Sequence, residues 1–402
     1  MIPYGRQYID EDDIQAVVSV LRSNMLTQGP VIGQFESALA EYCGVEHAVA
    51  MNSATSALHA ACLAAGVGTG DEVITSPITF VASANCAVYC GATPVFADID
   101  PLNYNISAAE IENKITAKTK AVIPVHFAGQ SADMESVAAV VRTAEKKYRH
   151  KIYIIEDACH AIGSFYHGKR VGSCCFSDMT VMSFHPVKHI TTGEGGAVFT
   201  NDGSLGKKLR RLRSHGITSD PSDFLNHDLA FQPAAEDSRR TANPWYYEQV
   251  GLGYNYRITD IQCALGLSQL RKLDSFRSRR REIVTAYNTA FQQLDTVQIP
   301  REASGCDSNF HLYVLLFDFD CIGMNRARFM HELRAKGIQT QVHYIPVHLH
   351  SFYRRQFGTN WGDCPNAERY YLMCLSIPLF PAMSDSDVQR VVDEILNLIK
   401  KT

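Results

Sequence analysis

The chain has 402 residues, 46% of them hydrophobic and 20% charged, and a formal net charge of −4. That length exceeds what one core usually covers, so a large domain over residues 1–257 and a smaller one over 258–402 are expected, the latter opening with a linking helix. The balance excludes a disordered or fibrous chain, and the acidic net charge leaves no footprint for nucleic acid. Met1 to Asp13 is polar and acidic, and no run of ~18 apolar residues follows. A cytoplasmic protein with no membrane partner is expected. Twelve cysteines without a C-x-x-C pair argue against a zinc site or disulfide framework, so no metal is expected.

In chain order, Asp10 is a plausible cap for an amphipathic helix carrying Ile14, Val17, Val18 and Leu21, with Asp13 three residues on. Met25 to Pro30 breaks it, and a second helix over Val31 to Cys43 leads to a strand at Ala48 to Met51. Strands and helices then alternate: Glu72 to Ser76, Phe80 to Cys90, Pro94 to Ile99, Ala108 to Ile115, Ala121 to Phe127, Met134 to Tyr148 and Ile152 to Glu156. Apolar, β-branched strands without polar alternation imply a sheet covered on both faces, hence a mostly parallel α/β sheet. A strand at Ala197 to Asn201 and a basic amphipathic helix ending at Arg213 follow. Thr218 to Gly253 is polar and of low periodicity, and reads as a long functional loop. One extended helix is expected from Ile258 to about Leu294. Phe310 to Asp318 reads as a strand, with Arg326 to Lys336 helical, Gln339 to Tyr344 a further element, and Asp385 to Lys400 a last helix.

Chemistry concentrates at strand ends. Asn52 to Ser56 runs from a strand into a helix, and such a start offers free N–H groups and the positive end of the helix dipole, a natural phosphate cradle. The alternative is a simple Ser/Thr cap. Asp157 follows an apolar strand. Lys188 lies five residues after Ser183 and five before Gly193, in M-S-F-H-P-V-K-H-I-T-T-G-E-G-G. A lysine placed there can form an imine, provided that burial or nearby positive charge keeps its amine neutral; an ordinary strand-end lysine is the bland alternative. Two glycine-rich stretches are set aside. Gly66 to Gly70 follows a helix and precedes a strand, and Gly163 to Arg170 has Arg where a P-loop needs Ser or Thr.

Together, N-S-A-T-S-A-L, T-S-P-I-T-F-V-A-S-A-N, E-D-A-C-H-A-I-G, S-F-H-P-V-K-H-I-T-T-G-E-G-G, G-Y-N-Y-R-I-T-D and Q-V-H-Y-I-P-V-H resemble the sugar aminotransferases related to DegT and StrS, from about Tyr4 to Pro381. The resemblance implies an aspartate-aminotransferase-like fold, with a large domain and a smaller C-terminal α+β domain, and pyridoxal 5'-phosphate as cofactor. It also implies L-glutamate as amino donor, with 2-oxoglutarate leaving, and a nucleotide-linked keto-sugar as acceptor. By motif, Lys188 would bind the cofactor covalently, and Ala54, Thr55 and Ser183 would hold its phosphate, joined by Asn255 from the partner of a homodimer. Phe80 would stack on the ring, Asp157 would pair with its nitrogen, and His160, where the family more often has Gln, would lie near its hydroxyl. Tyr4, Thr27, His215, Tyr313, His343 and Tyr344 are the substrate-side candidates. M-L-T-Q-G, N-S-A-T-S-A-L and V-H-Y-I-P most resemble the branch that aminates a UDP-linked 4-keto sugar on the way to pseudaminic acid. The alternatives are a dTDP or GDP carrier, or a non-catalytic regulator with the same fold. A dehydratase of the family would have histidine in place of Lys188.

Overall fold

Residues 1–232 and 241–400 are described by the computed structural model of the chain. Seven strands form the central sheet: β1 (His47–Met51), β2 (Glu72–Thr75), β3 (Thr93–Phe96), β4 (Thr119–Ile123), β5 (Tyr153–Asp157), β6 (Met179–Ser183) and β7 (Gly196–Thr200). Their order is β1-β7-β6-β5-β4-β2-β3. The pairs from β6 through β5, β4 and β2 to β3 are parallel, and β7 runs antiparallel to both β6 and β1. Strands β6 and β7 are buried along their whole length, as a run of Met, Val, Phe and Ala without alternation demands of a sheet covered on both faces. The parallel strands therefore deliver their carboxyl ends to one edge, where ligands of such sheets collect.

Helices α1 (Glu11–Leu21), α2 (Pro30–Cys43), α3 (Ala54–Ala64), α4 (Ala82–Tyr89), α5 (Ala108–Lys114), α6 (Met134–Tyr148) and α7 (Gly203–Arg213) alternate with these strands. The cap expected at Asp10 is present as a reciprocal box: the Asp10 side chain accepts from Asp13 N–H, and the Asp13 side chain accepts from Asp10 N–H. The helix read from Phe80 starts two residues later, at Ala82, which leaves Phe80 on the preceding loop. The look-alike at Gly163 to Arg170 is a short hairpin pairing Phe165–Tyr166 with Lys169–Arg170.

The long helix expected from Ile258 to Leu294 is two: α8 (Asp260–Leu270) and α9 (Leu273–Phe291). Neither Gly nor Pro marks the joint. Tertiary bonding does, because Lys272 pairs there with Asp10 and with Asp13 (3.0 Å). Helix α8 packs on α1 and α2, whereas α9 packs on the C-terminal helix. Asp260, fully buried at the start of α8, accepts from Gly29 N–H (2.8 Å) and Val31 N–H (2.9 Å) and so fixes the loop after α1.

A second core gathers around a three-stranded sheet of β8 (Val297–Gln298), β9 (Tyr313–Phe317) and β10 (Cys374–Ile377), in the order β8-β9-β10. It is flanked by α10 (Arg326–Ala335), α11 (Ser351–Phe357), α12 (Pro365–Met373) and α13 (Asp385–Lys400). Residues 339–344 form no strand; Gln341 makes one isolated bridge to Ser376. The N-terminal segment joins this half of the molecule, since Ile2 bridges to Ile338 and Tyr4 O accepts from Leu379 N–H. The segment from Thr218 to Gly253, expected to lack structure, holds two small ladders, Ile217–Thr218 with Glu248–Gln249 and Phe231–Gln232 with Thr241–Ala242. Residues 233–240 of that expectation lie outside the described residues.

Candidate active site

The junction after β1 leads straight into the start of α3. Ser53 caps α3 by accepting from Ser56 N–H (3.1 Å), and Ala57 N–H reaches the first backbone acceptor, Ser53 O (3.1 Å). The N–H groups of Ala54 and Thr55 precede that first helical bond and stay available to a ligand at the positive end of the helix. Gly196 lies opposite both Met51 and Ser183 in the sheet. A Cβ on Gly196 would fall 2.5 Å from Ala54 N and 2.7 Å from Ala54 Cα, so only glycine lets the cradle sit against β7. Ser183, at the end of β6, adds its hydroxyl beside it.

Asp157 ends β5 and is buried. Its Oδ2 accepts from Ser83 Oγ (2.5 Å) and its Oδ1 from Cys159 N–H (3.2 Å). Ser83 Oγ also lies 2.7 Å from Thr79 Oγ1. Strand β5 and helix α4 thus hold the carboxylate in one orientation, leaving acceptor capacity toward the cavity.

Lys188 follows β6 in a turn closed by its N–H on His185 O (2.9 Å). Burial lowers the pKa of its amine from the ordinary 10.5, while Cys159 and Asp157 act against that shift. The net direction favours the neutral amine that attacks carbonyls.

Lys188, Asp157 and the cradle of Ala54, Thr55 and Ser183 all line one cavity of about 620 Å³. Phe80 stands in the cavity wall with its ring 60% exposed, available to a planar ligand. His160, Tyr4, His343 and Tyr344 line the same space. His343 Nδ1 is 2.9 Å from Ser376 Oγ, its ring is 5.3 Å from that of Tyr4, and burial pushes its pKa down to about 3. A ring with an anionic group at one end and a basic nitrogen near a fixed carboxylate suits this set of donors, so the residues present fit a phosphorylated pyridine aldehyde.

Other expected residues are elsewhere. Tyr313 is fully buried in the second core, where its hydroxyl donates to Asn288 Oδ1 (2.7 Å); Y-V-L-L-F is a strand covered on both faces, and the tyrosine packs inside it. Thr27, His215 and Asn255 are exposed and do not line the cavity. Asn255 instead bridges to Ser214, and its backbone oxygen accepts from Asn52 Nδ2 (3.3 Å). Sequence reasoning missed Ser83 and His311. Ser83 lies within the motif around Phe80, but no spacing ties residue 83 to residue 157. His311, two positions before Tyr313, faces the cavity from a segment that read as strand.

Residues 7–396 match the DegT/DnrJ/EryC1/StrS aminotransferase family. The spore coat polysaccharide biosynthesis protein SpsC of Bacillus subtilis is 42% identical over 400 residues, covering 99% of this chain and 97% of that protein. Among solved structures, Helicobacter pylori PseC, an aminotransferase involved in pseudaminic acid biosynthesis, is 33% identical with a TM-score of 0.87, covering all of both chains. The putative sugar aminotransferase Spr1654 of Streptococcus pneumoniae in its PLP form is 30% identical, with a TM-score of 0.87 over 100% of this chain and 99% of that one. The mostly parallel sheet, with Lys188 and the start of α3 at its strand ends, thus belongs to an aspartate-aminotransferase-like enzyme, and the chain is a member of the DegT/DnrJ/EryC1/StrS aminotransferase family.

Proposed function

We propose that the protein moves an amino group from L-glutamate to C4 of a UDP-linked 4-keto-6-deoxy sugar, UDP-2-acetamido-2,6-dideoxy-β-L-arabino-hexos-4-ulose, with pyridoxal phosphate as cofactor. The observation that carries the chemistry is the convergence of Lys188, Asp157 and the Ala54–Thr55–Ser183 cradle on one cavity. The choice of sugar is supported by the M-L-T-Q-G and V-H-Y-I-P motifs and by the full-length similarity to PseC.

When bound, pyridoxal phosphate supplies the electron sink that lets an amino group leave one carbon and join another. The chain's residues do the rest. The amides of Ala54 and Thr55 and the hydroxyl of Ser183 would bind the phosphate, while the Asp157 carboxylate, oriented by Ser83, would hold a proton on the ring nitrogen. Phe80 would meet one face of the ring. Lys188, whose amine is shifted toward the neutral form by desolvation, would hold the cofactor's aldehyde carbon and serve as general base and acid for the proton moved between substrate and cofactor carbons. Tyr4, His343 and Tyr344 line the substrate side. The enzyme works as a cytoplasmic homodimer, in which the exposed Asn255 reaches the partner's phosphate.

The test is to incubate purified protein and glutamate with a panel of UDP-, dTDP- and GDP-linked 4-keto sugars and to identify the aminated product. Amination of the UDP-linked L-arabino 4-keto sugar is expected, and Lys188→Ala is expected to abolish both turnover and borohydride trapping of the cofactor. Preference for a dTDP or GDP sugar would overturn the substrate assignment, and turnover by the Lys188→Ala variant would overturn the mechanism.

A further inference from the structure

His160 sits three residues beyond Asp157 and is 6% exposed. Its Nδ1 accepts a hydrogen bond from the backbone N–H of Ala128 (3.3 Å), and its Nε2 lies 3.2 Å from the Tyr344 hydroxyl oxygen. The amide of Ala128 can only donate. It is presented by a tight turn, Phe127–Gly129, in which Ala128 (φ 57°) and Gly129 (φ 101°) both adopt left-handed backbone. The turn requires glycine at 129, since a Cβ there would fall 2.0 Å from Asn309 Oδ1 and 2.9 Å from His311 N. An imidazole whose Nδ1 accepts can carry its single proton only on Nε2.

The hydrogen on Nε2 then points at the oxygen of Tyr344, which becomes an acceptor there. The phenol's own hydrogen must go elsewhere, and Tyr344 lines the cavity. Behind this pair, the ring of His311 lies 4.3 Å from that of His160 at 41° and leaves its buried Nδ1 without a partner. The Tyr344 ring lies 6.2 Å from that of His160, inclined by 20°. We propose that His160 is a positioning residue that fixes the hydroxyl of Tyr344 as a hydrogen-bond donor into the cavity, where it meets an electron-rich oxygen of the bound ligands.

The electrostatics agree with the geometry. Burial, with Lys188, His343 and His189 nearby, presses His160 well below its ordinary pKa, so the imidazole is neutral and holds one proton. Burial likewise raises the Tyr344 hydroxyl above its usual value, so the phenol keeps the proton it donates. Asp157, which also faces this corner, raises it further. The receiving oxygen belongs either to the cofactor ring or to the keto group of the sugar; both are acceptors.

Two measurements test this. Solid-state NMR of 15N-histidine-labelled holoenzyme, with His160→Gln for assignment, should show a protonated Nε2 and an unprotonated Nδ1 at His160 across neutral pH. A proton on Nδ1, or an imidazolium, would overturn the proposal. In kinetics, Tyr344→Phe and His160→Leu should each lower turnover about ten- to hundred-fold, as loss of one donor to a partly charged oxygen does. His160→Gln, which can still accept from Ala128 and donate to Tyr344, should keep most of the activity. The double variant His160→Leu/Tyr344→Phe should be no slower than either single, because both remove the same bond. Additive losses, or full activity of Tyr344→Phe in protein that binds cofactor and melts normally, would refute it. Slowing of the glutamate half-reaction identifies the cofactor's oxygen as the acceptor, and slowing of the sugar half-reaction alone identifies the keto oxygen. The kinetic arm rests on the proposed aminotransferase function and the tautomer arm does not, so the expected tautomer in a protein that aminates no sugar would count against the function alone.

Discussion

Replacing Gly196 by alanine tests the phosphate cradle directly. The added methyl carbon would meet three successive backbone atoms: Ser53 C at 2.7 Å, Ala54 N at 2.5 Å and Ala54 Cα at 2.7 Å. Bringing the nearest of these out to about 3.0 Å moves the start of α3 away from β7 by about 0.5 Å, in a region where backbone and not a flexible side chain must yield. Overpacking of this kind typically costs about 1–3 kcal/mol. The displaced amides are those of Ala54 and Thr55. At about 1.4 kcal/mol per tenfold, a similar loss at the phosphate weakens pyridoxal phosphate binding about ten- to hundred-fold. The assay is titration of cofactor-free protein with pyridoxal phosphate and, in parallel, with pyridoxal. Affinity for the phosphorylated form should fall steeply and that for pyridoxal little. Gly33→Ala is the control: Gly33 lies within α2, its Cβ position meets nothing within 4 Å, and the change should stabilise the protein by about 0.5–1 kcal/mol. Wild-type affinity for pyridoxal phosphate in Gly196→Ala would refute the placement of the cradle.

Ser83→Ala removes the 2.5 Å hydrogen bond to Asp157 and should cost about 1.5–3 kcal/mol in transition-state stabilisation, read as a fall in kcat/KM, with the fold unchanged by circular dichroism. For Lys188, the amine has its pKa lowered in the folded state, so between that value and 10.5 the unfolded chain binds more protons and stability at this residue rises with pH. Lys188→Met should accordingly stabilise cofactor-free protein most near neutrality and progressively less toward pH 10.5, as read from urea midpoints; a constant gain would contradict the burial argument. Arg280 is 1% exposed and donates to Phe310 O (3.3 Å), His311 O (3.1 Å) and Leu379 O (2.9 Å), so Arg280→Ala strands three carbonyls and should destabilise by about 3 kcal/mol or more in equilibrium unfolding.

The large sheet was legible because its strands are apolar runs separated by amphipathic helices, a pattern that local periodicity records. That Ala54, Thr55, Asp157, Ser183 and Lys188 meet at one cavity was legible because each lies where a strand ends. What was hidden depends on contacts between distant residues. Nothing in the run from Ile258 to Leu294 announces the joint at Lys272, because Asp10 and Asp13 impose it from the far end of the chain. Tyr313 read either as a substrate-side residue or as packing in the small domain, and the continuous apolar strand around it favoured the packing that the structure shows. The second lobe was the least readable, since β8 has two residues and β10 four, too few to show a period.

The bridge from Ile2 to Ile338 ties residues 336 positions apart in the chain. On a ribosome adding ~5–20 residues per second, the first of these waits about 20 to 70 s for the second. During that interval Tyr4, one side of the cavity, has nowhere to settle. The strands of the large sheet all lie before residue 201, but the cavity wall formed by Tyr4 and residues 341–345 is complete only near the end of synthesis, so a polypeptide stalled before residue 338 holds Lys188 and the start of α3 without that enclosure.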